Sequence, residues 1–172
     1  MIRRARAGDV PAIAAIHVAA SQLAYRGLMP DAYLEAFTVE RREADWRRFL
    51  AAPGSDVFVD EDEGSGQLTG WINVGTSRDR DASAGTGELW AIYIDPRTWS
   101  QGVGKRLWAH GRAHLAGQGY RRVTLWVLEG NARAIRFYLR AGFAPDPGAR
   151  QTIERGGKTL GELRYRLDLA PT

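Results

Sequence analysis

The sequence predicts an α/β domain on a mixed, mostly antiparallel sheet, with a central parallel strand pair flanked by helices. Three observations predict it. Short segments rich in β-formers alternate with stretches whose apolar residues recur at helical spacing. The early strand segments are joined by tight turns, which makes them antiparallel neighbours. Later, a helical segment separates the strands Glu88–Asp95 and Arg122–Leu128, and a crossover of that kind makes its two strands parallel. A length of 172 residues suits one domain spanning 1–172. A hydrophobic share of 44% with 10% aromatics is enough to build a core.

The elements follow in order. Ile2 to Arg6 reads as a short strand, and Asp9 as the N-cap of a helix carrying Ile13, Ile16 and Ala20, with Pro11 in its first turn. Tyr25 to Pro30 breaks that helix, and a second helical stretch covers part of Asp31 to Leu50. Val57–Val59 and Leu68–Val74 read as a hairpin around the acidic turn Asp60–Gly66, which is expected to be solvated. Ser77 to Gly87 is a loop. Along Glu88–Asp95, Glu88, Trp90, Ile92 and Ile94 share one face unless a bulge intervenes. Val103 to Ala116 is a helix with Val103, Leu107, Gly111 and Leu115 along one stripe. Asn131 caps a helix running to about Ala141, and Glu162 to Leu169 is the last strand.

Composition excludes several classes of function. There are no cysteines, which removes disulfides, thiolate metal sites and a cysteine nucleophile. The net charge of +4 is mild, and acids are interleaved with the arginines, so a nucleic-acid-binding surface is not expected. No run approaches the roughly 20 apolar residues of a membrane span. The basic start Met1–Arg6 passes into Gly8-Asp9 rather than an apolar stretch, so no signal peptide is read and the cytoplasm is the expected location. His110 and His114 are four apart without the glutamate of a zinc-protease helix and are read as structural; no metal is expected. His17 is read as a surface or wedge residue, and the six tryptophans mostly as core anchors.

Gln101-Gly102-Val103-Gly104-Lys105 lies between a strand and a helix. Glycines there let backbone N–H groups approach an anion, and a helix N-terminus favours negative charge. A tight turn with no ligand is the competing reading. A P-loop fails, because Trp99 stands at the first glycine position and Arg106 follows Lys105. A dinucleotide fingerprint fails because Leu107 stands at the third glycine. The segment Leu89 to Trp108 resembles motif A of the GNAT acetyltransferases, summarised as Arg/Gln-x-x-Gly-x-Gly/Ala. Gly102 and Gly104 match it, and Trp99 departs from it. Asn131 to Tyr138, ending in Ala141-Gly142-Phe143, resembles motif B of that family.

The resemblance implies a GNAT fold and transfer of an acetyl group from acetyl-CoA to an amine by direct attack of the deprotonated amine on the thioester. It implies Ile92, Ile94, Ser100, Gln101, Gly102, Val103, Gly104, Lys105, Asn131 and Ala134 as cofactor-binding residues. Glu88 is the implied general base and Tyr138 the acid that protonates the leaving thiolate, while a bulge would aim a backbone N–H of Trp90–Ile94 at the thioester oxygen. Read as residues alone, Glu88 could be a strand-end glutamate in solvent, Tyr138 a core aromatic and Asn131 a cap only. Arg133, Arg136 and Arg140 form one helical stripe, read as solvated surface rather than a phosphate site. Acceptor specificity is implied to lie in the first helices and in the loops Gln22–Pro30, Ser77–Gly87 and Phe143–Thr159. A small-molecule or peptide amine is the expected partner, without nucleic acid or membrane, and a homodimer is common among relatives. A non-catalytic acyl-CoA-binding sensor module is the alternative function.

Overall fold

The computed structural model describes residues 1–51 and 54–169. In chain order the elements are β1 (Ile2–Arg4), α1 (Val10–Ala24), α2 (Asp31–Glu35), α3 (Val39–Ala51), β2 (Ser55–Glu61), β3 (Leu68–Thr76), β4 (Thr86–Ile94), α4 (Val103–Gly117), β5 (Arg122–Leu128), α5 (Ala132–Arg140), β6 (Ala144–Arg155) and β7 (Lys158–Asp168). One seven-stranded sheet runs β1-β2-β3-β4-β5-β7-β6. Every neighbouring pair is antiparallel except β4 and β5, which flank α4 and are parallel as the crossover requires.

The sheet divides the core in two. On one face α4 lays Val103, Leu107, Gly111 and Leu115 against Ile72, Val74, Leu89, Val123 and Leu125. Gly111 permits this approach, since a Cβ there would meet Ile72 Cδ1 at 2.9 Å. On the other face Val10, Ile13, Ala14 and Ile16 of α1 pack with Trp46, Val57, Val59 and Trp71. Among the described residues no helix is long and apolar enough to cross a membrane.

Several expectations are corrected. Phe143–Thr159 is not a loop, because most of it forms β6 and the start of β7. Pro145, Pro147 and Gly148 disguise the strand; β6 accommodates them at the sheet edge, where its register against β7 shifts between Pro145 and Arg150. The stretch Asp31–Leu50 is two helices rather than one. Asp9 occupies the N-cap of α1, but its carboxylate accepts from the Arg6 N–H at 2.7 Å and binds Arg3 instead of capping. Asp60 is not solvated. Its carboxylate is buried and takes hydrogen bonds from Thr69 Oγ1 at 2.9 Å and Arg106 Nη2 at 2.6 Å, tying β2 to the outer surface of α4.

Candidate functional site

β4 and β5 pair only at Thr86–Glu88 with Arg122–Thr124, and beyond that point they separate. The separation coincides with a bulge. Asn73 pairs with Ala91 and Val74 with Leu89, so Trp90 has no partner on β3. The extra residue reverses the alternation. Leu89, Ile92 and Ile94 face α4, whereas Glu88, Ala91 and Tyr93 belong to the α1 side, so the unbroken alternation is corrected.

The bulge is pinned from outside. Arg78 grips the buried Glu88 carboxylate through its backbone N–H at 2.8 Å and its guanidinium, and lays that guanidinium 4.2 Å from the Trp90 ring centre. The Trp90 indole N–H donates to the Thr76 carbonyl at 3.1 Å. Glu88 is therefore not a solvated strand end, and Tyr138 lines the cleft whereas Glu88 is buried behind it.

The opened strands border a cleft of about 1100 Å³. Residues Trp90–Ile94 line one side and Trp126, Val127 and Leu128 the other. Tyr93 and Asp95 lie at the positions that pair with β3, so the ladder's alternation turns the N–H and C=O of Ile92 and Ile94 toward the gap. The Ile94 carbonyl accordingly accepts from the Trp99 indole at 2.9 Å.

At one end the cleft meets the turn before α4. Ser100 has φ 66°, the only positive φ at a non-glycine among the described residues, and Gly102 has φ 81°. These left-handed residues and the start of α4 leave the N–H groups of Ser100, Gly102, Val103, Gly104 and Lys105 without a backbone carbonyl partner among the described residues. All five residues line the cleft; Gln101 does not, and its N–H bonds Thr98 O at 3.3 Å. Gly104 sits where a Cβ would lie 3.1 Å from Phe137, so its small size brings α5 against the turn.

On α5, Asn131 and Ala134 line the cleft, and the Asn131 side chain accepts from the Ala134 N–H at 3.2 Å as a helix cap. Arg133, Arg136 and Arg140 are exposed but form the cleft's rim, which corrects the purely solvated reading. Arg133 stacks on Trp99 with 3.6 Å to the ring centre, so the tryptophan in place of Arg/Gln holds an arginine at the turn. Trp90, Trp99 and Trp126 line the cleft, leaving Trp46, Trp71 and Trp108 as core anchors.

Tyr138 is buried beneath α5 and lines the cleft; burial, with Tyr93 nearby, pushes its phenol well above the usual range, so it stays protonated. Tyr25 and Tyr93 share a hydrogen bond at 3.0 Å, and burial raises both phenols. His17 is wedged among Phe37, Trp46, Trp71 and Tyr93, accepts from the Trp46 indole at 3.3 Å, and lines the same end of the cleft. His110 and His114 sit far from this, packed on Phe58, with His114 bonded to Asp56. Among the described residues no group of three or more His, Cys, Asp or Glu could hold a metal ion.

Sequence reasoning missed Arg42 of α3 and Glu162 of β7, both of which line the cleft. No local motif marks either one. Only the tertiary fold brings them there.

Residues 24–143 match the family described as "Acetyltransferase (GNAT) family". An uncharacterized N-acetyltransferase, YuaI, of Bacillus subtilis is 31% identical over 163 residues, covering 94% of this chain and 89% of that one. The fold resembles the PaiA N-acetyltransferase of Thermoplasma acidophilum, solved with coenzyme A, at TM-score 0.75 and 17% identity over 98% of each chain. It also resembles a phosphinothricin acetyltransferase of Sinorhizobium meliloti, solved with AcCoA, at TM-score 0.73 and 22% identity over 100% of this chain and 92% of that one.

The wedged histidine sets a pH dependence of stability. Burial first, then the Arg42 charge, lowers the His17 pKa to about 4. The unfolded chain, with an ordinary imidazole near 6.5, therefore binds more protons than the folded one between these values. Stability is complete above about pH 6.5 and should fall, by up to about 3 kcal/mol, as pH drops toward 4. Urea unfolding across that window should show a shallower decline for His17→Gln than for wild type. Equal declines would mean that His17 is not buried as a neutral ring.

Proposed function

The chain belongs to the acetyltransferase (GNAT) family, and from that premise we propose that it transfers an acetyl group from acetyl-CoA to an amine by direct attack on the thioester. The observation that carries this reading is the set of N–H groups of Ser100, Gly102, Val103, Gly104 and Lys105, which have no backbone carbonyl partner among the described residues and line the cleft that the β4–β5 gap opens. Such a set, at a helix N-terminus, suits a pyrophosphate. The arginines of α5 and Lys105 supply positive charge at the same mouth. Gln101 contributes through its place in the turn rather than through its amide.

From that anchor the pantetheine arm would run along the free edge of β4, where Ile92 and Ile94 offer N–H and C=O groups as an added strand would use them. Asn131 and Ala134 bound the arm from the α5 side. The substrate supplies a thioester carbonyl, and an N–H of β4 beyond the Trp90 bulge is placed to stabilise the oxygen as it gains charge. The deprotonated amine nitrogen forms the new C–N bond, the C–S bond breaks, the protonated Tyr138 phenol donates its proton to the departing sulfur, and the proton the nitrogen then sheds passes to water, from which Tyr138 is reprotonated. Glu88, gripped by Arg78 outside the cleft wall, holds the bulge in place and is displaced from the base role.

Three measurements test this reading. Calorimetry with coenzyme A should show binding to wild type and about tenfold or more weakening in Gly102→Val, since φ 81° is costly for a β-branched residue; equal affinities would remove the turn as the anchor. In a CoA-release assay over an amine panel, Tyr138→Phe should lose about 100-fold in kcat with little change in KM for acetyl-CoA, and an unaltered kcat would remove Tyr138 as the acid. Glu88→Gln should lower unfolding stability by about 1–3 kcal/mol through the weakened Arg78 clamp, while its pH–rate profile keeps the wild-type shape. A lost limb in that profile would restore Glu88 as the base.

A further inference from the structure

The end of the cleft away from the glycine turn is lined by side chains rather than backbone. Its walls come from α1, α2, α3, β6 and β7, and Tyr25, Tyr33, Phe37 and Tyr93 contribute aromatic side chains. Three charged residues interrupt this lining: Arg42, Arg155 of β6 and Glu162. Glu162 is the only carboxylate that lines the cleft among the described residues. Its β7 position pairs with Leu128 of β5, and its carboxylate accepts from Gln151 Nε2 at 2.8 Å. Arg42 enters from α3. Its guanidinium carbon lies 4.5 Å from the centre of the Phe37 ring, and one Nη reaches Asp45 at 3.2 Å. Its Nε is buried with no hydrogen-bond partner.

A buried guanidinium N–H without an acceptor costs about 1–3 kcal/mol or more unless something fills the position. The edge formed by Nε and an Nη matches a carboxylate, which takes two parallel hydrogen bonds from it. Both charges lie within electrostatic reach of the Tyr93 hydroxyl, and all three residues line the cleft. Tyr93 lies on β4, at the strand where the acetyl group would be presented.

We propose that the acceptor is a small amine that also bears a carboxylate, with its ammonium held by Glu162 and its carboxylate by Arg42. This rests on the transferase reading and narrows it. A molecule so held lies across the Tyr25–Tyr93 pair with its nitrogen toward the thioester. Glu162 is then the wall carboxylate positioned to take the ammonium proton before the C–N bond forms. The apolar remainder of the acceptor packs on the aromatic lining, and a peptide or protein lysine, which has no nearby free carboxylate, fits this end poorly.

The test is a CoA-release assay on free amino acids with the amine at α, γ or terminal positions, each beside its methyl ester. Wild type should favour at least one free acid over its ester by about tenfold or more in kcat/KM. Arg42→Met should shrink that ratio to near one by raising KM for the acid, and Glu162→Gln should lower kcat/KM for acid and ester alike. Calorimetry with acetyl-CoA checks that each variant keeps its cofactor end. Equal rates for acid and ester in wild type, or a preference that survives in Arg42→Met, overturns the carboxylate assignment while leaving the transferase reading intact. Bound acetyl-CoA with no turnover of any amine overturns the transferase reading itself, and this inference with it.

Discussion

Pairing between β4 and β5 stops after three residues on each strand, at the point where Trp90 is squeezed out of the β3 ladder. A parallel pair in the centre of a sheet is normally covered on both faces and closed along its length. Here the bulge turns the second half of β4 away, so backbone groups that would have bonded β5 face a gap instead. That gap has to be stabilised by something other than strand pairing. The Arg78 clamp, which joins Glu88, the Trp90 ring and the loop after β3, supplies part of that, and the core beneath β3 supplies the rest. The proposed cofactor edge and oxyanion donor, and the position of Tyr138, all depend on the strands staying apart.

The loop after β3 is tied down on its other side as well. Arg164 of β7 binds Asp79, Asp81 and Asp146, and the Trp126 indole donates to Asp79 at 2.8 Å. The loop therefore bridges both strands that border the gap, fastened to β4 through Glu88 and to β5 and β7 through Asp79. Exposed ion pairs contribute little individually, but Glu88, Asp79 and Arg164 are largely withdrawn from water, where such pairs fix geometry more firmly. A segment that looks like a solvated connector in sequence acts as the brace of the cleft.

Legibility in the sequence follows the range of the interactions. The α4 stripe, the parallel crossover and the glycine turn were readable because each depends on residues within about one element of each other, under fixed periodicities. β6 was not, since two prolines and a glycine oppose strand pairing locally and only its edge position against β7 admits them. Asp60 read as solvated because its partner Arg106 lies 46 residues away on another element. Glu88 was placed on the right strand, but the role assigned to it depended on its surroundings, and Arg78 occupies its carboxylate through a contact that spacing does not announce. The α5 arginines were correctly read as exposed. Their second property, bordering the cleft, required knowing where Trp99 sits.

The same difference in range divides the cleft itself. The half proposed to hold the cofactor is built from main-chain groups and from glycines that bring backbone close, so its pattern is local. The half proposed to hold the acceptor is built from side chains of α1, α2 and α3 near the start of the chain and of β6 and β7 near its end, joined only in the folded molecule. A sequence can therefore place the chain in its family from the first half while leaving the second unread. On the proposed reading, selectivity among amines would rest on the second half, because a backbone edge that accepts every acyl-CoA alike contributes nothing to the difference between two acceptors. Arg42 and Glu162 are two of the charged groups there, beside Arg155, and the ones the proposal invokes. Both lie on elements whose own folding requirements, an amphipathic helix and an edge-ward strand, would be met equally well by other polar residues.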